Sequence, residues 1–130
     1  MSEENIEVLR RAYELAEARG AEGFLEFATD DIVWISDPRF SGGGTHSGKE
    51  NVRRWLAELW IYDDVSIAVE EIIDLEDGAL GIARFHGVSA DAPPVDWPWC
   101  HLVAFRGGQI SQAQSFLDRA EALKAAGLSK

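Results

Sequence analysis

A single cysteine, Cys100, occurs in 130 residues, so no internal disulfide can staple the fold. Basic residues are scarce too: 12 lysines and arginines stand against 23 aspartates and glutamates. The resulting net charge of -11 repels phosphate backbones and anionic membrane surfaces, so neither nucleic acid nor membrane is an expected partner. No apolar run approaches the roughly 18 residues of a membrane span. The opening Met1-Ser2-Glu3-Glu4 is acidic where a secretion signal is basic and then apolar, and a cytoplasmic chain is expected. No lysine-serine or lysine-threonine pair follows Gly42-Gly43-Gly44, which excludes a phosphate-binding P-loop. No nucleophile elbow surrounds Ser36, Ser115 or Cys100. The histidines His46, His86 and His101 lack close ligand spacing, so neither a metal nor another cofactor is expected.

What is present is a composition, 46% hydrophobic and 27% charged, that suits one globular domain over residues 1–130. Ile6, Leu9, Tyr13 and Ala16 form a helical stripe over residues 3–19, with Ser2 as N-cap and Gly20 as C-cap. A short second helix is expected over 22–28 and a strand over 32–36. Ser47-Gly48-Lys49-Glu50 reads as a capping box opening a helix that carries Val52, Trp55, Leu56, Leu59 and Trp60 on one face. From there the pattern becomes β, with strands expected at 65–75, 79–88, 95–106 and 109–116. Their short separators imply antiparallel pairing. A helical turn or two over 118–126, ended by Gly127, closes an α+β plan with helices on one face of a curved sheet.

Both faces of these strands are apolar: Leu80 and Ile82 alternate with Ala83 and Phe85, and Cys100 and Leu102 alternate with Val103 and Phe105. If helices cover one face, a second copy of the chain is the expected cover for the other, as a homodimer.

Asp37 ends the apolar run Ile32-Val33-Trp34-Ile35 and precedes Pro38 and a glycine-rich stretch. That position suits an acid or base at a pocket mouth, and it equally suits an Asx turn ahead of the proline. Alternation sets Trp97, Trp99, His101, Val103 and Phe105 on one face, either lining a pocket or filling the core or an interface. Trp34, Trp97 and Trp99 are candidates for an apolar box, with Trp55 a further candidate contact. Arg84 and His86 share a face of their strand. An acidic neighbour or solvent suits Arg84, while His86 either meets His101 or lies partly exposed. His46 ends the Ser41–His46 connector, read as a mobile rim or a plain linker. Gln114 and Phe116 share a face of the last strand and are candidate ligand contacts, although an outward glutamine is commoner.

Tyr13 in the first helix, Ile32-Val33-Trp34-Ile35-Ser36-Asp37-Pro38, the Ser47-Gly48-Lys49-Glu50-Asn51-Val52 helix start and the tail from Gly107-Gly108-Gln109-Ile110 to Phe116-Leu117-Asp118 together resemble the nuclear transport factor 2-like superfamily. Within it the chain is most similar to the SnoaL-like and ketosteroid isomerase-like branch, over nearly its whole length. The resemblance implies a cone: a strongly curved antiparallel sheet, mixed at one edge, wrapped by three to four helices. It also implies an apolar pocket for a small apolar molecule inside the cone, and dimerisation through the outer sheet face. Asp37 and Tyr13 fall where the isomerases of that branch have a general base and a phenolic oxyanion donor. His101 stands where they carry a protonated carboxylic acid. The resemblance thus implies a cofactor-independent isomerase or cyclase acting on a polyketide-like or steroid-like ketone, with Asp37, Tyr13 and His101 as catalytic residues. A His101–His86 acid–base pair for dehydration and a non-catalytic binding domain are the rival readings.

Overall fold

The computed structural model describes residues 2–37, 39 and 43–128. Pro38, Phe40, Ser41 and Gly42 lie outside the described residues, and with Ser41 and Gly42 the start of the expected mobile rim. Among the described residues the chain forms four helices and one open, mixed sheet of seven strands, ordered β2-β1-β7-β6-β4-β3 with β5 beside β4. No helix of the described residues is long and apolar enough to cross a membrane.

Helix α1 (Ser2–Arg19) buries Leu9, Ala12, Tyr13 and Ala16, the stripe expected from its periodicity. Ser2 is itself the first helical residue. Gly20, at φ 76°, ends α1 by donating to the Ala16 carbonyl at 2.8 Å, a left-handed turn that glycine adopts without strain. Helix α2 (Ala21–Leu25) is shorter than expected, because β1 (Ala28–Ser36) already begins at Ala28.

Gly44–Ser47, expected as connector, forms strand β2 and pairs antiparallel with β1, matching His46 to Trp34. This overturns the capping box. Ser47 is held in the β2 ladder, the N-cap of α3 (Lys49–Leu59) is Gly48 at φ 89°, and no side chain caps that helix. The strand expected over 95–106 is two strands, β5 (Ala92–Pro98) and β6 (Cys100–Arg106). They separate at Trp99, whose N–H donates to the Ala83 carbonyl, so that β5 and β6 pair with successive halves of β4 (Gly78–Ser89). Strand β3 (Asp64–Leu75) pairs with β4 along its length, and β7 (Gln109–Phe116) lies antiparallel to β6 and parallel to β1.

The sheet has an apolar layer on each side. Helices α1 to α3 pack one face through Tyr13, Phe24, Trp34, Trp55, Ala83 and Val103. On the other face Leu80, Ile82 and Cys100 are fully buried against α4 (Arg119–Ala125), through Ala122 and Leu123. These are residues for which a second copy was expected as cover; the chain's own last helix covers them. Asp118 fixes that helix by accepting from the amides of Ala120 and Glu121.

Candidate functional site

The helix-covered face of the sheet gathers an aromatic nest around His101. The parity of β6 turns His101 toward α1, where the Tyr13 hydroxyl lies 2.7 Å from Nδ1 of the imidazole. Trp99 meets the imidazole edge to face at 4.4 Å between centroids, Trp34 at 5.4 Å and Phe24 at 5.9 Å. His101 is fully buried and Tyr13 is 1% exposed. Burial pushes His101 down to about 3 and holds Tyr13 well above the usual phenol range, so both are neutral at any physiological pH.

Neutrality decides the proton positions. A neutral phenol has one proton to donate, and Nδ1 is the acceptor within reach, which leaves the imidazole proton on Nε2. The opposite tautomer strands the phenol proton as well. In either case Nε2 is buried without a hydrogen-bond partner among the described residues. An unmet buried polar atom carries a desolvation penalty of about 1–3 kcal/mol, so it marks a place where an outside partner would be stabilising.

Trp34 is fully buried and donates from Nε1 to Ser115 Oγ at 2.8 Å, a bond that the sequence reading did not anticipate. From Trp34 a chain of rings leads outward, to Trp55 at 6.1 Å and then to His46, stacked on Trp55 at 4.5 Å and 16°. His46 and Trp55 border an open surface depression with Thr45, Asn51, Arg54 and Glu58. Trp97 also packs toward this interior, stacked on Phe85 at 5.1 Å, as the alternation implied. The tryptophans fill core here: around His101 the space expected for an apolar chamber is occupied by rings in mutual contact.

Asp37 sits elsewhere. Its Oδ1 accepts from the Arg39 amide at 2.9 Å, the bond of an Asx turn, and from Arg39 Nε at 2.9 Å. Oδ2 accepts from Arg39 Nη2 at 2.6 Å, and the same nitrogen reaches Glu121 of α4 at 2.8 Å. The Arg39 guanidinium, aided by that amide, holds Asp37 at about 2 against the desolvation that works the other way. A general base needs a carboxylate raised toward working pH and a free lone pair; Asp37 has the reverse. The ion pair with Arg39 thus works against the base role expected of Asp37, and the bond to the Arg39 amide has the geometry of the Asx turn. Gln114 and Phe116 border the same open depression as Asp37, Arg39 and Glu121. Ser115 between them faces the interior, so neither joins Tyr13 and His101.

His86 is corrected as well. It projects from the opposite face of β4 to Phe85, half exposed, with Nδ1 3.6 Å from Asp96, so it does not meet His101. Arg84 on that face donates to Asp96 at 2.6 Å, the acidic neighbour that its charge required. Among the described residues no group of three histidine, cysteine or acidic side chains converges as metal ligands do.

The SnoaL-like domain family matches residues 9–113. The chain belongs to that family. No curated protein sequence matches it. Among solved structures it is similar to a nuclear transport factor 2-like protein from Burkholderia pseudomallei, at 19% identity and a TM-score of 0.77, covering 95% of this chain and 97% of that one. A protein from Jannaschia sp. named "putative SnoaL-like polyketide cyclase" gives 20% identity and a TM-score of 0.74, over 99% of this chain and 94% of that one. TerC, co-crystallised with polyporic acid, gives 20% identity and a TM-score of 0.75 over 95% and 97%. At these identities the likeness is one of fold, and it bears out the nuclear transport factor 2-like α+β architecture with its open sheet.

Proposed function

We propose that this SnoaL-like domain binds a small, mostly apolar ketone and polarises its carbonyl at His101 Nε2, in chemistry of the isomerase or cyclase kind. The observation that carries this reading is the Tyr13–His101 pair: a neutral imidazole, its Nδ1 satisfied by a phenol, with a buried Nε2 that no described residue satisfies. A neutral N–H donor among aromatic rings suits a carbonyl oxygen on a flat apolar molecule. As that oxygen gains charge on enolisation, a preorganised donor in a dry site stabilises it. The pair supplies the electrophilic half of such a step, and the proton leaving the α-carbon passes to a solvent base. Access runs past the His46–Trp55–Trp34 rings, which must part for the ligand.

The direct test is solvent deuterium exchange, which detects enolisation whatever the final product. With α-tetralone, a neutral bicyclic ketone, the protein is expected to speed deuterium uptake at the carbon next to the carbonyl. His101→Phe should reduce that rate by roughly 100-fold, the scale of losing one oxyanion donor, and Tyr13→Phe, which keeps the donor but frees its orientation, by less. A second reading, binding without chemistry, is favoured by the full engagement of Asp37 with Arg39. It is the conclusion if α-tetralone quenches the tryptophan fluorescence yet exchanges at the uncatalysed rate. Absence of both effects removes the carbonyl reading.

A further inference from the structure

Gly81, in the middle of β4, is a glycine whose backbone does not require one. Glycines 20, 44, 48, 107, 108 and 127 have positive φ, and Gly81 is not among them. A glycine inside a strand weakens it, and its usual justification is close approach of another group. That group is Tyr13. A Cβ at position 81 would lie 2.4 Å from the Tyr13 hydroxyl oxygen, 2.8 Å from Cε2 and 3.0 Å from Cζ. Gly81 is also the cross-strand partner of His101 in the β4–β6 register. The phenol is therefore laid over bare backbone beside the imidazole that it serves.

We infer that Gly81 is a positioning residue for the Tyr13–His101 pair, an inference that rests on reading that pair as the reactive centre. Tyr13 has little freedom to absorb a methyl group at position 81. Its ring is edge-on to Phe24, and its helix is pinned by Leu9, Ala12 and Ala16, all fully buried. Ordinary contact begins at 3.4 Å, so a Cβ 2.4 Å away asks the hydroxyl to retreat by about 1 Å. A 2.7 Å hydrogen bond does not survive such a retreat in most directions. Gly87 provides an internal control, because a Cβ there meets the Tyr62 ring at 2.7 Å, in the Phe85–Trp97 cluster and not at His101.

The experiment is nitrogen NMR of the His101 imidazole in the free chain, paired with α-tetralone exchange. Gly81→Ala is expected to shift the Nδ1 signal to that of an unbonded nitrogen and to slow exchange by about 100-fold, the effect of a misplacement near 1 Å. Gly87→Ala should leave the Nδ1 signal where it is. An unmoved Nδ1 signal in folded Gly81→Ala overturns the inference. If Gly81→Ala does not fold, Tyr13→Leu/Gly81→Ala decides: folding as well as Tyr13→Leu alone assigns the seat to the phenol, and failure to fold refutes it. A lost Nδ1 bond with undiminished exchange keeps Gly81 in its role and removes the pair from the chemistry. An intact bond in Gly81→Ala, with exchange lost only in Tyr13→Phe, does the opposite.

Discussion

The corner around Asp37 and the interior around His101 each bury one ionisable side chain, with opposite results. Asp37 is 8% exposed yet fully ionised, because an arginine and a backbone amide surround its oxygens. His101 is 0% exposed and neutral, because burial disfavours its charged form and, among the described residues, its hydrogen-bond partner is a phenol set among rings. Burial alone does not set charge; the donors and acceptors brought along with it do. The carboxylate at the strand end accepts three hydrogen bonds and stands beside a cation. The imidazole has one nitrogen bonded and the other without a partner among the described residues, the atom on which the proposed carbonyl reading rests.

The largest expected consequence of this contrast is in acid. His101 has a folded-state pKa of about 3 against an ordinary 6.5, so the unfolded chain binds a proton that the folded chain refuses. Its contribution to stability is complete above pH 6.5 and is lost as pH falls toward 3, with a slope of up to about 1.4 kcal/mol per pH unit. The Asp37 contribution begins to fall only below its ordinary 3.8, which leaves pH 6.5 to 4 to the imidazole of this pair. Denaturant unfolding across that window should show the slope in the wild type and a flattened one in His101→Gln. Equal slopes in the two proteins would mean that His101 is protonated in the fold, and the contrast would collapse.

Tyr13→Phe is the next largest. It removes the phenol and leaves Nδ1 buried without a donor beside an Nε2 already unmatched. A loss of roughly 1–3 kcal/mol in unfolding free energy is expected. A loss of only a few tenths would show that water satisfies the ring in solution. The same variant should leave the Asp37 carboxyl titration unmoved, since the two regions share no partner.

How far this contrast could be read from residues alone differs between fold and site. The stripe of α1, the glycine stops at 20 and 127, and the alternation through Trp97, Trp99 and His101 all followed from spacing, because helix and strand periods are local properties. Strand β2 did not: Gly44-Thr45-His46-Ser47 has turn composition, and only pairing with β1 makes it extended. The cap of α3 failed for the same reason, since the ladder claimed Ser47 first. Parity showed that Gln112, Gln114 and Phe116 share a face, but not which face meets α1; Ser115 bonding Trp34 answers that. Arg39, two residues beyond Asp37, was the visible clue that the carboxylate had a partner. Glycines at 81 and 87 within one strand were a second clue, each a seat for one of the two tyrosines.

The smallest expected effect sharpens the contrast from the other side. Arg39 is 55% exposed, so its bond to Asp37 is screened by water, and Arg39→Ala should change stability little. The informative quantity is the titration of Asp37. Its folded pKa is depressed, so its contribution is present above pH 3.8 and lost as pH falls through about 2. Without the guanidinium, carbon NMR should find the carboxyl rising from about 2 toward 3.8, while the Asx-turn amide still donates. A carboxyl that stays near 2 in Arg39→Ala would transfer the credit to the turn's backbone. A carboxyl that rises past 3.8 would show burial winning once the cation is gone, and would return Asp37 to contention as a base. The cation thus accounts for how far down the Asp37 carboxyl is held, as burial without a counter-charge accounts for the neutrality of His101.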